Sequence, residues 1–210
     1  MRKGLFAVLS SSLIVCALGI GTSVATATTI RTWTVTPGGA ITAALVTGTH
    51  VTFTDVTSTA VVTCGVSSLS ASLKSGSGLP GGGIGSTTAY SLSSCSTGAT
   101  ITSGGLPWHL NAVSYNATTG VTSGRITGIH FAYSGRTLTG TCSGVVDGTS
   151  DTANDGAVPA KYTNATHQFS IVAGGNLHIY DNSCPGFNSG DQAKVTGRYA
   201  GSPAQTITSP

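Results

Sequence analysis

The chain has 210 residues, of which 7% are charged and 30 are glycine, and its formal net charge is +3. Globular domains usually carry about 25% charged residues, so the solubility of this chain depends on hydroxyl groups and the backbone. Two of the cations, Arg2 and Lys3, lie at the N-terminus, so the rest of the chain has a net charge near +1. This balance excludes an extended basic surface for nucleic acid and an acidic tail.

The first 27 residues are predicted to be a secretory signal peptide. Arg2 and Lys3 precede an apolar stretch at residues 5–20, and the small residues 25–27 follow it. This order is typical of a secretory signal, and the apolar stretch is too short to span a membrane; an N-terminal anchor helix is the alternative. We therefore expect residues 28–210 to form a single domain that is secreted and has no membrane span.

Apolar and polar residues alternate with a period of two along the rest of the chain. Clear examples are residues 32–36, 51–54, 67–73, 108–113 and 126–133. Alternation is typical of half-buried strands, and the glycines and serines between the runs favour turns. The sequence therefore predicts an all-β fold, an antiparallel β-sandwich or barrel of about ten to twelve short strands.

Two glycine-rich connections give more specific predictions. Residues 75–85 combine glycine, serine and proline, so we expect a loop whose shortening is tolerated. Residues 169–173 and 176–180 are both rich in β-formers and flank Gly174 and Gly175. Two glycines between such runs predict a β-hairpin with a two-residue turn.

The cysteines predict two disulfides. Cys16 lies in the signal segment, which leaves Cys64, Cys95, Cys142 and Cys184. An even number in an exported chain favours disulfides, and their wide spacing disfavours zinc. We favour Cys64–Cys95 and Cys142–Cys184, because these pairings close the shorter loops within each half of the chain. The other two pairings stay open.

Several segments carry a resemblance to a known group. The chain resembles the Thr/Ser/Gly-rich secreted proteins common in actinobacteria over most of its length after the signal peptide. Its composition is also similar to that of the small actinobacterial chromoprotein apoproteins, which are two-disulfide β-sandwiches. The first resemblance implies an extracellular bacterial setting and assigns no activity, so no functional residue is carried over. The segments that carry it are residues 33–39 (WTVTPGG), 74–86 (KSGSGLPGGGIGS), 128–130 (GIH), 162–164 (YTN) and 177–180 (LHIY).

No match to a catalytic or cofactor motif has the flanking residues that the corresponding site requires. The G-x-G-x-x-G match at residues 76–81 is followed by proline and glycine rather than a helix, so no dinucleotide site is expected. No G-x-S-x-G motif is present, and the histidines at positions 50, 109, 130, 167 and 178 are scattered. We expect no cofactor. Convergence of two of the histidines His109, His130 and His178 with an acid of the loop 147–155 in a cleft would favour an enzyme.

Three of the six acidic residues, Asp147, Asp151 and Asp155, lie in one short segment. The segment lacks the ligands of an EF-hand at its third and twelfth positions, so that motif is rejected. A solvated Asp/Asn turn is the favoured interpretation, with a looser extracellular Ca²⁺ site as the alternative. We therefore expect no metal site, with these three residues as the only weak candidate.

Aromatic residues are the candidate ligand-binding residues. Tyr115, Phe131, Tyr133 and Tyr180 can present flat apolar faces with polar edges to a sugar or another flat ligand, with core packing as the alternative. We expect a non-enzymatic binding or surface-associated structural protein whose partner is a polysaccharide or a small apolar ligand. The alternative is an extracellular hydrolase with a Ser/His/Asp site that the sequence does not reveal.

Overall fold

Antiparallel strands make up almost all the regular structure of the protein. A computed structural model describes residues 31–138 and 140–210, so the predicted signal peptide lies outside the described residues. Besides one 3₁₀ turn at Ser96–Gly98, the described chain forms fifteen strands: β1 (Thr32–Thr36), β2 (Gly39–Leu45), β3 (Val51–Asp55), β4 (Val61–Leu73), β5 (Gly76–Pro80), β6 (Gly85–Cys95), β7 (Thr100–Gly104), β8 (Trp108–Asn116), β9 (Val121–Thr137), β10 (Gly140–Asp147), β11 (Gly156–Thr163), β12 (Gln168–Ile171), β13 (His178–Tyr180), β14 (Ala193–Ser202) and β15 (Thr206–Thr208). The prediction of an all-β antiparallel fold is confirmed. Within this part of the chain, no helix has the length and apolar character needed to cross a membrane.

Four long strands, β4, β6, β9 and β14, run through both halves of the domain, and shorter strands lie beside them end to end. Strands β2 and β3 both pair with β4, β7 and β8 pair with one edge of β9, and β10 and β11 pair with the other edge. The short strands thus define two halves. We call them the cavity half (β2, β8, β11 and β12) and the disulfide half (β3, β7, β10 and β13), each with the adjoining parts of the long strands.

The cavity half closes into a barrel. Strand β11 pairs with β12 on one side and with β9 on the other, so a continuous ring of eight strands runs β9-β11-β12-β14-β2-β4-β6-β8 and returns to β9. Closure removes free strand edges from this ring. Of the two architectures that the sequence leaves open, this half of the protein is therefore a barrel.

A separate three-stranded sheet of β15, β1 and β5, which we call the plug sheet, packs against the cavity half. Its Trp33 and Val35 are buried with Leu73 and Ile84 in a small apolar cluster. Asn164 fastens its C-terminal strand, because the Asn164 Nδ2 group donates to the Ile207 carbonyl at 2.9 Å and the Ile207 N–H donates to Asn164 Oδ1 at 2.9 Å. The plug sheet is thus held by both apolar packing and hydrogen bonds.

The main core is centred on aromatic side chains between the two halves. The ring of Phe131 lies 5.2 Å from that of Trp108 and 5.3 Å from that of Phe53, both edge to face. Edge-to-face pairs are favourable because of the aromatic quadrupole. Nearby, the buried hydroxyls of Tyr90 and Tyr199 are hydrogen-bonded at 2.7 Å, and burial is the largest cause that raises the pKa of both tyrosines. Both phenols therefore stay neutral.

Both predicted disulfides are present with the favoured pairing. Cys64 is bonded to Cys95, and Cys142 is bonded to Cys184. The first links neighbouring positions of β4 and β6, and the second ties β10 to the segment after β13. All four cysteines lie in the disulfide half, so the covalent links hold one half of the domain and packing holds the other.

The predicted hairpin at Gly174 and Gly175 is wrong. Strand β12 pairs with β11 and β14, whereas β13 pairs with β10, so the two strands do not pair with each other. Instead the chain continues along the line of β14, where His178 bridges to Gln192. A Cβ atom at Gly175 would lie 1.9 Å from the Ala157 carbonyl oxygen, so a close approach to β11 explains this glycine.

The predicted loop at residues 75–85 is also partly wrong, because Gly76–Pro80 forms β5 and pairs with β1. The glycines that follow are packed: the Gly81 carbonyl accepts a hydrogen bond from the Ala112 N–H, and the Gly83 N–H donates to Asn111 Oδ1. The sequence did not predict this strand because β5 has one large apolar side chain, that of Leu79, and a single apolar residue shows no alternation.

Gly81 and Gly82 offer a matched test of this packing. A Cβ atom at Gly81 would lie 2.4 Å from the Ala112 carbonyl oxygen and 2.6 Å from Trp33 Nε1, whereas one at Gly82 would meet nothing within 4 Å. We expect Gly81→Ala to lower the free energy of unfolding by about 2 kcal/mol, in the range for overpacked sites, and Gly82→Ala to change it little. Chemical denaturation of both variants measures the difference; equal stabilities would show that the segment is a loose loop.

Candidate functional site

The barrel of the cavity half encloses an apolar cavity of about 80 Å³ beneath the plug sheet. A water molecule needs roughly 10–15 Å³ of such space, so the cavity is several times larger than a packing defect of one water. Residues from seven of the eight barrel strands, from adjoining loops and from the plug sheet line it. The apolar ones among them are Ile41, Ala43, Leu69, Leu73, Ile84, Leu110, Ala112, Ala160, Phe169 and Ile207.

Three polar side chains at the edge of this cavity, those of Thr122, Tyr162 and Gln205, already have partners, and the exposed cations Arg125 and Lys161 also border it. Thr122 Oγ1 donates to the Ile207 carbonyl at 3.2 Å, and the Tyr162 hydroxyl donates to the Gln205 carbonyl at 2.8 Å. The Gln205 side chain accepts from the Gly38 N–H and donates to the Pro203 carbonyl. Because these groups are paired, the cavity presents hydrocarbon to anything that enters it. Sequence reasoning missed this site, since its residues look like ordinary core positions.

Two of the four predicted ligand-binding residues line a second, smaller cavity. Phe131 and Tyr133 share one face of β9 and border a space of about 30 Å³ in the disulfide half, together with Phe53 and Phe187. Phe131 is only 2% exposed. The Tyr133 hydroxyl donates to Asn182 Oδ1 at 2.6 Å, and burial followed by the charge of Asp55 raises its pKa to about 12. The rings of Phe131 and Tyr133 therefore pack against other side chains of the protein.

The other two predicted residues lie elsewhere. Tyr115 is half-buried on β8 and packs against the cluster beneath the plug sheet. Tyr180 is half-buried on β13, and its hydroxyl donates to the Gly148 carbonyl at 2.8 Å. The structure thus does not bring the four aromatic residues together into one platform, and their role in ligand binding stays a prediction.

A shallow groove of about 330 Å³ lies on the outer face of β7, β9 and β10. Hydroxyl groups line much of it, from Thr100, Thr102, Ser134 and Ser143, and Asp181 lies at its border. It is the most open of these three spaces, whereas typical small-molecule sites bury most of the surface of their ligand. We therefore place the candidate site in the apolar cavity of the barrel.

Two of the predicted histidines do converge with an acid. His130, Asp147 and His178 lie in one row across β9, β10 and β13. The His130 Nδ1 atom lies 2.9 Å from Asp147 Oδ2, whereas His178 Nδ1 donates to the Asn176 carbonyl at 2.9 Å. His109 lies on β8 in the other half and does not join them. A histidine oriented by a carboxylate is part of many catalytic sites, but no described hydroxyl is hydrogen-bonded to the His130 ring.

Asp147 is completely buried and organises the loop that follows β10. Its Oδ1 atom accepts hydrogen bonds from the N–H groups of Gly148, Asp155 and Gly156, and its Oδ2 atom accepts one from the Asn154 N–H. Burial by itself raises the pKa of Asp147, but the hydrogen bonds from His130 and these N–H groups outweigh it and lower the pKa below its usual value. The carboxylate is therefore ionised and structural.

In the candidate Ca²⁺ site, the carboxylate oxygens of Asp147 and Asp155 accept hydrogen bonds from the protein itself. Both oxygens of Asp147 accept hydrogen bonds, and Asp155 accepts from the N–H and the hydroxyl of Thr149. Among the described residues, no three or more His, Cys, Asp or Glu side chains are grouped so that they could hold a metal ion. Asp155 is exposed and stabilises a turn, as the favoured interpretation of a solvated Asp/Asn turn predicts, but Asp147 is buried and not solvated.

Comparisons with protein-family models, with curated proteins and with solved structures found no match. The class of protein is therefore defined by its own architecture, an all-β, two-disulfide domain whose barrel encloses an apolar cavity.

Proposed function

We propose that this protein is a non-enzymatic binding protein that holds a small apolar ligand inside the cavity half. The observation that supports this proposal is the partly open cavity of about 80 Å³, which lies between the barrel strands and the plug sheet and is lined mainly by aliphatic side chains. Binding of water in an apolar cavity of this kind is unfavourable, because water finds no hydrogen-bond partners there. An apolar molecule that fills it gains contacts with the whole lining.

The pairing of the polar groups around the cavity sets the class of ligand. Thr122, Tyr162 and Gln205 use their donors and acceptors within the protein. Inside the cavity, away from Arg125 and Lys161 at its border, a charged or strongly polar group would lose its hydration without gaining new partners, which costs several kcal/mol. The expected ligand is therefore a small uncharged hydrocarbon or the hydrocarbon portion of a larger molecule.

A hydrolase is the second candidate, and the His130–Asp147 pair is the observation that favours it. Nucleophilic catalysis also needs a hydroxyl or thiol next to the histidine, and no described hydroxyl makes that hydrogen bond. All four described cysteines are in disulfides. The carboxylate of Asp147 is committed to four backbone N–H groups, which supports a structural role for the pair.

We propose further that the protein acts outside the cell after removal of residues 1–27. The two disulfides support an oxidising compartment. The small number of charges and the many hydroxyl groups are compatible with the same setting, as is the resemblance to secreted actinobacterial proteins.

Benzene is a suitable probe for the cavity, because it is small, uncharged and apolar. We expect it to bind with a Kd of about 1 mM, which corresponds to about −4 kcal/mol. Titration followed by NMR should shift the methyl signals of Ile41, Leu69 and Leu110, which line the cavity. Ala160→Val, which adds two methyl groups to the lining, should weaken binding at least tenfold.

Ala200→Val is the matched control, since Ala200 is exposed on the outer face of β14. It should bind benzene as the unmodified protein does. Binding that is unaffected by Ala160→Val in a folded protein would place the ligand elsewhere. Turnover of an ester, peptide or glycoside substrate that disappears in a folded His130→Ala variant would contradict the proposal and favour the hydrolase.

A further inference from the structure

Charge is distributed unequally between the two halves of the domain. All six aspartates lie in the disulfide half or in the loops at its border, along with Arg136 and Lys194. The cavity half and its plug sheet carry no acidic residue. Their cations are Arg31, Lys74, Arg125, Lys161 and Arg198. The domain has a net charge near +1, but its cavity half, together with the plug sheet, is strongly cationic.

Three of these cations are exposed on one outer face of the barrel. Lys161 on β11 is paired with Ser170 on β12, and Ser170 is paired with Arg198 on β14. Arg125 on β9 is paired with Pro159, so it is the diagonal neighbour of Lys161. Strand spacing places Lys161 and Arg198 about 10 Å apart, and diagonal neighbours lie about 7–8 Å apart. We call this surface the cationic face.

The charges of the cationic face are not neutralised within the domain. Among the described residues, the one contact between a basic and an acidic side chain is that of His130 with Asp147, which lies in the other half. The side chains of Arg125 and Lys161 make no hydrogen bond within the described chain, and Arg198 Nε donates to the neutral Gln168 side chain at 2.8 Å. Like charges held this close repel each other, so an anionic partner is favoured.

We propose that the cationic face binds a linear acidic polysaccharide that carries carboxylate groups. The hydroxyl of Ser170 lies between Lys161 and Arg198, and the hydroxyl of Ser123 and the amide of Gln168 lie beside these cations on the same face. Separated cations with hydrogen-bonding groups between them complement a chain in which carboxylates alternate with sugar hydroxyls. This site is on the outer face of the barrel, and it does not depend on the proposed ligand of the cavity, although Arg125 and Lys161 also border that cavity.

Nucleic acid fits this face less well. Non-specific binding to nucleic acid depends on many phosphate contacts, and single strands also stack their bases on exposed aromatic rings. The cationic face has three cations, and the aromatic residues of its strands point to the interior: Tyr162 and Phe169 line the cavity, and Tyr199 is completely buried. The chemistry therefore favours a polysaccharide.

The proposal is tested by binding of the disulfide-bonded protein to polygalacturonate at about 50 mM salt, measured by affinity electrophoresis or biolayer interferometry. We expect the combined variant Arg125→Gln, Lys161→Gln and Arg198→Gln to bind at least tenfold more weakly. The matched control combines Arg31→Gln, Lys74→Gln and Arg136→Gln, which removes the same charge from exposed positions elsewhere. It should change the affinity less than twofold, and uncharged dextran should not bind.

Several results would overturn the proposal. Equal losses in the two combined variants would show that net charge alone drives binding. Tighter binding of polyphosphate or of duplex DNA than of polygalacturonate would assign the face to another polyanion. Salt-sensitive self-association that the face variant abolishes, seen by sedimentation without any polysaccharide binding, would assign it to the acidic half of a second copy.

Discussion

Replacing Asp147 with asparagine is expected to lower the free energy of unfolding by about 3 kcal/mol. This is a typical cost of removing one partner from a buried charged interaction, because the remaining groups keep their positions and lose their partner. Each carboxylate oxygen faces at least one backbone N–H group, from Gly148, Asp155 and Gly156 on one side and from Asn154 on the other. An amide must direct its own NH₂ group at one of these donors, so one side of the network is lost whichever way it turns.

Thermal unfolding measures this effect as a fall in Tm of roughly 6–12 °C, at about 2–4 °C per kcal/mol for a domain of this size. Asp181→Asn is the matched control, because Asp181 is exposed and its side chain makes no hydrogen bond within the described residues. Equal Tm values for the two variants would show that the network around Asp147 contributes nothing to stability.

The same network makes stability depend on pH in a defined direction. Burial opposes ionisation of Asp147, but the hydrogen bonds from His130 and the N–H groups lower its pKa in the folded protein. A carboxylate whose pKa is lower when folded contributes stability above its unfolded value of about 3.9, and this contribution is lost as the pH falls through the folded pKa. The difference in stability between the unmodified protein and Asp147→Asn should therefore narrow below about pH 4.

Trp33→Ala is expected to destabilise the plug sheet by about 3–5 kcal/mol, the usual cost of truncating a buried tryptophan. Trp33 is 1% exposed and packs with Val35, Leu73 and Ile84. Because the plug sheet pairs with itself rather than with the barrel strands, its amide hydrogens should exchange much faster in this variant. Those of β4 and β9 should remain protected.

Leu79→Ala is the control within the same cluster. Leu79 is only half-buried on β5, so its truncation should have a clearly smaller effect on exchange. If Trp33→Ala instead accelerates exchange equally in the plug sheet and in β4 and β9, the plug sheet and the barrel unfold as one unit. The plug sheet would then not be a separately removable cover of the cavity.

Sequence alone was a good guide to features that depend on neighbouring residues. Alternation on Trp33–Val35, Leu69–Leu73 and Ile129–Phe131 correctly predicted strands with one buried face, since side chains in a strand point to opposite sides in turn. The disulfide pairing was also predicted correctly. Strand β5 was missed because glycine and serine pack through the backbone, which leaves no apolar pattern to detect.

The candidate site was outside the reach of the same reasoning. Ile41, Leu110 and Phe169 belong to β2, β8 and β12, and each has the pattern of a core residue. These three residues surround an unfilled space only because the eight strands close into a barrel and the plug sheet covers it. The aromatic residues chosen from the sequence shared a chemical type but not a location.

The sequence by itself determined the class of fold and the positions of most strands, and it favoured the correct disulfide pairing, because alternation and loop closure act through the order of residues along the chain. Only the tertiary structure decided that β12 continues along β14 instead of folding back, that His130 meets Asp147, and that three cations share one face. These outcomes depend on which strands become neighbours. Strand pairing is set by the packing of the whole core, and residues distant in sequence contribute to it as much as adjacent ones.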